Sequence, residues 1–173
     1  PKADVEGDVL EFFKGRMQTL LVSRAFTAAV VDAVLARQAR DLVDAQHRCE
    51  ALERFRTSDE FQALMTLIKR TNNIVRDFAG ARVDPSLLHE DAERALFEAF
   101  ELIRDDVQRS VASKDYAIAL SKLVTLKGRI DTFFDDVLVM CEDEALRTNR
   151  LSLLRGITDL FSPLADFPRL AST

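Results

Sequence analysis

Between Pro1 and Pro85 the chain holds no proline, and apolar residues recur along most of its length at spacings of three and four. Such a chain can satisfy its backbone within helices and is left with one apolar stripe per helix to bury. The clearest case is Ile130, Phe133, Phe134, Val137 and Leu138, which reads as the stripe of a core-facing helix. After an acidic break at Glu142–Glu144, a second pattern places Leu146, Leu153, Ile157, Leu160, Phe161 and Leu164 on one face. Asn149 and Arg150 interrupt that face. Burying an amide and a guanidinium is costly unless each finds partners. The acids of the preceding helix supply candidates, which predicts a polar lock of Asn149 and Arg150 with Asp135 and Asp136.

The same spacing predicts an all-α fold, an antiparallel helical bundle of about seven helices. Residues 5–21 carry Val9, Phe12, Phe13, Leu20 and Leu21. Thr27 is placed to cap a short helix with Val30, Val31, Val34 and Leu35, and Asp41 to cap one with Leu42, Ala45, Cys49 and Leu52 inward. Thr57 followed by Glu60 fits a capping box and predicts a long helix to about Ala79, stopped by Gly80. Asp84-Pro85-Ser86 reads as a turn. Helices follow from about Glu90 to Ala112 and from about Lys114, the latter breaking near Lys127-Gly128. From Pro163 onward the chain is expected to be extended or frayed.

Length and composition fit one domain, or one domain plus a fragment of another, of an ordinary soluble protein, 173 residues with 47% hydrophobic and 31% charged residues. No run approaches the roughly 18 apolar residues of a membrane span. Cys49 and Cys141 lie far apart and read as small hydrophobes in helices. A non-Met start running straight into a helical pattern reads as part of something longer.

Little in the chain points to bond chemistry. His47 and His89 belong to no ligand cluster, the five glycines are scattered singly, and no serine or cysteine sits in a nucleophile motif. No catalytic residue and no metal ligand is assigned. The remaining polar signals concern recognition. A helical wheel groups Lys69, Asn73 and Arg76 beside the stripe Phe61, Leu64, Met65, Ile68, Val75 and Phe78. Asn72, within the stripe, reads as an amide bonded to neighbouring backbone. Although the net charge is −5, the stretch from Val107 to Ile130 carries five bases (Arg109, Lys114, Lys122, Lys127, Arg129) against Asp115 alone.

The segments FTAAVVDAVLA (Phe26–Ala36), IKRTNNI (Ile68–Ile74), DYAIAL (Asp115–Leu120) and, above all, FFDDVLVM followed by EDEALRTNRLSLL resemble one family. They look like the C-terminal end of the bacterial glycyl-tRNA synthetase beta subunit, a helical anticodon-binding domain of the DALR type shared with arginyl-tRNA synthetases. The matches run in order from about residue 10 to 165. Gly128 and Arg129 stand where many relatives have prolines, which predicts a more mobile loop there. The end DFPRLAST departs from the family's short apolar end.

The resemblance implies a division into a helical connector (residues 1–40), an anticodon-binding domain (41–165) and a tail (166–173). It implies a non-catalytic, cytoplasmic part of a glycine–tRNA ligase. ATP, Mg and the aminoacylation site would then belong to the alpha subunit. The partners would be glycine-specific tRNA, the alpha subunit and the remainder of beta. On this reading the expected tRNA-contacting residues are Lys69, Asn73, Arg76, Lys122, Lys127, Arg129 and, more weakly, Arg147. The rival reading is a helical protein-interaction bundle without RNA contact, whose signature would be a contiguous exposed apolar patch.

Overall fold

The computed structural model describes residues 5–37 and 40–170. The first four residues of the expected connector, residues 38 and 39 at its expected boundary, and residues 171–173 of the expected tail lie outside the described residues. Among the described residues there are eight helices of nine residues or more and no strand. They are α1 (Val5–Ser23), α2 (Ala28–Arg37), α3 (Leu42–Arg56), α4 (Phe61–Val75), α5 (Asp91–Ala112), α6 (Tyr116–Val124), α7 (Lys127–Asp136) and α8 (Glu144–Phe161). A four-residue α9 (Phe167–Leu170) and a 3-10 turn (Pro85–Leu87) complete the order. The three-residue connection between α5 and α6 leaves those two helices packed on each other, as α1 packs on α2 and α2 on α3, whereas α4 packs on α8 and α5 on α7.

Local chemistry explains most boundaries. Asp41 caps α3 by accepting the Asp44 backbone N–H at 3.0 Å, and Asp143 caps α8 by accepting from Ala145 and Leu146. Thr27 precedes α2, where its carbonyl takes the Val31 N–H and its hydroxyl accepts from Arg56. Asp84 opens the 3-10 turn by accepting from the Ser86 backbone and hydroxyl.

Four expectations need correction. Thr57 does not start α4; it ends α3, its hydroxyl donating to the Arg54 carbonyl, and α4 begins at Phe61 without a side-chain cap. That helix closes at Val75, short of Gly80, which sits in the following loop at φ +90°, a conformation suited to glycine. The break after α6 falls at Thr125-Leu126, and Gly128 and Arg129 lie in the first turn of α7, so no loop forms there. Finally, α7 ends at Asp136, leaving Leu138 72% exposed while Val137 and Val139 are buried.

The chain after Pro163 is likewise packed, not frayed, as far as Leu170. Leu164, Ala165, Phe167 and Leu170 are buried. The Asp166 N–H donates to the Ala33 carbonyl at 2.9 Å, and Phe167 stacks edge-on against Phe161. This end therefore covers α2 and α4. Residues Val30, Val31, Val34 and Leu35 of α2 share one apolar core with the later helices. In α1, by contrast, Met17 and Leu21 are the only buried hydrophobics among the described residues.

Candidate nucleic-acid interface

The α4 edge is built by helical spacing. Phe61, Leu64, Met65, Ile68 and Val75 face the core. Lys69, Asn73 and Arg76, at i, i+4 and i+7, therefore share an outward strip, and all three are exposed. Arg76 donates to the Asn73 Oδ1 at 2.8 Å, so the two form one unit. Lys69 has no ion pair among the described residues. Its neighbour Arg70 lies 4.0 Å over the Phe134 ring, tying α4 to α7. Asn72 is half-buried and donates to the Ile68 carbonyl one turn back at 2.9 Å.

The basic stretch from Arg109 to Arg129 is neutralised in space by acids from other elements and from its own turns. Lys114 pairs with Asp41 at 2.9 Å and Lys122 with Asp106 of α5 at 2.7 Å. Arg109 also pairs with Asp106, and Lys127 with Asp131 at 3.0 Å. The Lys122 hydrogen bond, seconded by its charge, holds Asp106 below the usual carboxylate range. Arg129 is exposed without an ion pair among the described residues. Arg147 donates to the Cys141 carbonyl at 2.8 Å and so closes its own loop. Thus the structure joins Lys69, Asn73 and Arg76 on one strip, puts Lys127 and Arg129 in the first turn of α7, and turns Lys122 towards α5.

Asn149 and Arg150 are buried on α8, but Asp135 and Asp136 are exposed and do not hold them. The Asn149 Oδ1 accepts the Asp84 N–H at 2.7 Å while its Nδ2 donates to the Asp84 carbonyl at 3.0 Å. Arg150 donates to the Glu93 carboxylate, which is 0% exposed, and at 2.9 Å to the Leu138 carbonyl. The correction follows from where α7 ends. The chain turns extended at Val137, so it is the Leu138 carbonyl that reaches Arg150. A second buried lock lay unnoticed in the sequence. Arg48 donates to Asp44 at 2.9 Å and to the Pro163 carbonyl, Asp44 accepts the Tyr116 hydroxyl, and the Arg48 guanidinium covers the Tyr116 ring at 4.7 Å.

Beside the α4 strip lies a cleft of about 290 Å³ whose lining includes Arg37, Asn72, Asn73, Arg76, Arg155 and Asp159. Arg155 is fixed from two sides, donating to the Phe78 carbonyl and to Asp159, both at 3.0 Å. Sequence reasoning missed Arg37 and Arg155 because they come from α2 and α8, and no local spacing connects them with α4. The arrangement offers guanidinium donors next to amide and carboxylate acceptors, which suits recognition of a polar, partly anionic ligand.

Residues 64–164 match the family described as the DALR anticodon binding domain. Over 172 residues, 99% of this chain, the sequence is 43% identical to the glycine–tRNA ligase beta subunit of Geobacter metallireducens. It is 43% identical over 171 residues to that of Geotalea daltonii and 40% identical over 171 residues to that of Vibrio cholerae. The chain spans about a quarter of the length of each of these curated relatives.

Proposed function

We propose, given that the chain belongs to the DALR anticodon binding domain family, that it recognises the anticodon region of glycine-specific tRNA as part of a glycine–tRNA ligase beta subunit. The observation that supports the reading best is the outward strip of Lys69, Asn73 and Arg76 inside the matched range, bordering the arginine-rich cleft. Glycine codons require two cytosines in the anticodon. Unpaired loop bases are read at their edges and stacked on side-chain planes. Cytosine presents an amino donor beside carbonyl and ring acceptors, so a domain that reads it uses acids as well as bases. An acidic net charge is compatible with that task.

On this reading the chain performs no bond chemistry itself. ATP, Mg and glycine activation belong to the alpha subunit of a cytoplasmic assembly. Among the described residues no helix is long and apolar enough to cross a membrane. Residues 41–165 form the recognition body, and the connector role assigned to residues 1–40 falls on α1, because α2 shares the body's core. The test is titration of glycine-specific tRNA against Lys69→Ala and Arg76→Ala over a salt series. Each variant should weaken binding and lower the slope of log K against log salt by roughly 0.7–0.9 per lost phosphate contact. Unchanged slopes in both would remove the strip from the interface.

One observation favours a second, compatible role. On α1, Phe12 is 60% and Phe13 56% exposed, with Val9 and Leu20 beside them, and an apolar groove lined by Phe13, Met17, Leu20 and Leu42 runs along it. This is the signature of a protein-docking face. Its occupant is taken to be the remaining polypeptide of the ligase, since the relatives are about four times as long. Phe12→Ser with Phe13→Ser should abolish association with that remainder and leave tRNA binding by this chain intact.

A further inference from the structure

The cleft between α2, α4 and α8 has a more specific character than a basic patch. At about 290 Å³ it lies at the small end of ligand pockets, which suits one nucleotide-sized group better than a peptide or helix. Its donors and acceptors are sorted. Arg155 is immobilised between the Phe78 carbonyl and one oxygen of Asp159, leaving the second Asp159 oxygen with no donor among the described residues. Asn72 has its amide nitrogen committed to the Ile68 carbonyl, so its Oδ1 remains an acceptor. Arg76 is steadied by Asn73, and Arg37 at the end of α2 pairs with no acid among the described residues.

A site for phosphate alone would gain nothing from a carboxylate and an amide oxygen in its lining, because both repel an anion. A nucleotide uses both sets. Its phosphate takes a guanidinium, and a base edge with an amino group next to ring acceptors takes a carboxylate together with a second guanidinium. Uracil presents a carbonyl where that amino group would be, and so opposes Asp159.

We propose that this cleft is the subsite for one unpaired anticodon cytosine. Its N4 amino group donates to Asp159, Arg76 donates to the O2/N3 edge, and Arg37 holds the adjoining phosphate. The assignment rests on the tRNA-recognition reading and narrows it to one place on the molecule.

The experiment measures binding of a glycine-tRNA anticodon stem–loop, and of two versions carrying cytosine→uridine at either anticodon cytosine, to the wild-type chain, Arg37→Ala, Arg76→Ala and Asp159→Ala. Both arginines are exposed, so their removal leaves the core intact, and circular dichroism verifies folding of each variant. The wild-type chain should lose about tenfold in affinity for one of the two uridine versions. Arg37→Ala and Arg76→Ala should each weaken the parent stem–loop about tenfold, and Asp159→Ala should bind the parent and that uridine version alike. If the wild-type chain discriminates but all three variants match it, the subsite is elsewhere and the tRNA reading stands. If Arg37→Ala weakens binding while Asp159→Ala keeps full discrimination, the cleft holds only phosphate and the cytosine assignment fails. A wild-type chain that binds none of the stem–loops overturns both.

Discussion

Replacing Arg150 by Met removes the cation from a site where Glu93 is wholly buried. The side chains are of comparable length, so packing is largely kept, but Glu93 is left as an uncompensated charge and the Leu138 carbonyl loses its donor. Breaking a buried pair from one side costs about 3–5 kcal/mol. For a chain of 173 residues, an unfolding entropy of about 2.1 cal/mol/K per residue turns that cost into a fall in Tm of roughly 8–14 °C. The companion variant carries Glu93→Leu as well. With both charges gone the desolvation penalty disappears, and the double variant should return to within about 2 kcal/mol of wild type, the remainder reflecting the unpaired Leu138 carbonyl and the Glu90 N–H that Glu93 no longer caps. Urea and thermal unfolding followed by circular dichroism provide the readout. At a temperature where Arg150→Met is still folded, its affinity for tRNA should change less than about twofold, because the lock faces inward. Equal destabilisation of the single and double variants would refute the ion-pair account. A large loss of tRNA affinity in the folded single variant would move Arg150 into the interface.

Tyr116 is the chain's single tyrosine, and the chain lacks tryptophan, so phenolate absorbance near 295 nm reports this one group. Burial, then the hydrogen bond to Asp44, pushes its pKa up to about 12. The folded-state value is raised, so this stabilisation is fully present below about pH 10 and is lost as pH rises from 10 towards 12. The phenol should titrate near 12 in the native chain and near 10 in urea, and a native midpoint near 10 would contradict the lock. Burial, helped by Glu53 and Glu50, likewise pushes the Cys49 thiol up to about 12. A thiol reagent at pH 8 should therefore modify Cys141 first and reach Cys49 only on unfolding. A Cβ added at Gly156 would sit 3.0 Å from the Phe100 ring. Gly156→Ala therefore sets an overpacking cost of about 1–3 kcal/mol against a helix-propensity gain of about 1 kcal/mol, and should give a net loss of up to about 2 kcal/mol as α8 is wedged from α5, measurable by urea unfolding.

The helices were legible because their apolar stripes are local, and caps such as Asp41 lie within a few residues of what they bond. Thr57 shows the limit of that reasoning, since a threonine three residues before a glutamate also serves to close the preceding helix. The candidate site was half legible. Lys69, Asn73 and Arg76 share one helix, so spacing found them, whereas Arg37 and Arg155 reach the same cleft from distant segments. Charge along the chain proved a poor guide to charge in space. Lys114, Lys122 and Arg109 read as a basic run, yet Asp41 and Asp106 sit against them in the bundle. The failure at Asp135 and Asp136 has a similar origin. They were the acids of the helix read as preceding α8, while Glu93 approaches Arg150 from α5.

The two buried locks follow one plan that bears on recognition. In each, an arginine bridges a carboxylate and the carbonyl of a loop. Arg150 joins Glu93 to Leu138, and Arg48 joins Asp44 to Pro163. Each therefore fixes a helix and the start or end of α8 at once, because Leu138 lies just before that helix and Pro163 just after it. Between these anchored ends, Arg155 reaches from α8 to the Phe78 carbonyl beyond α4. The α4 strip and the cleft thus pack on a helix tied down at both termini, while the direct tie to the loop behind α4 is made by Arg155. It follows that Arg155 differs in kind from Arg150. It belongs to the cleft wall and also fixes the loop behind α4, so Arg155→Ala should lower stability and tRNA affinity together, whereas Arg150→Met should separate them.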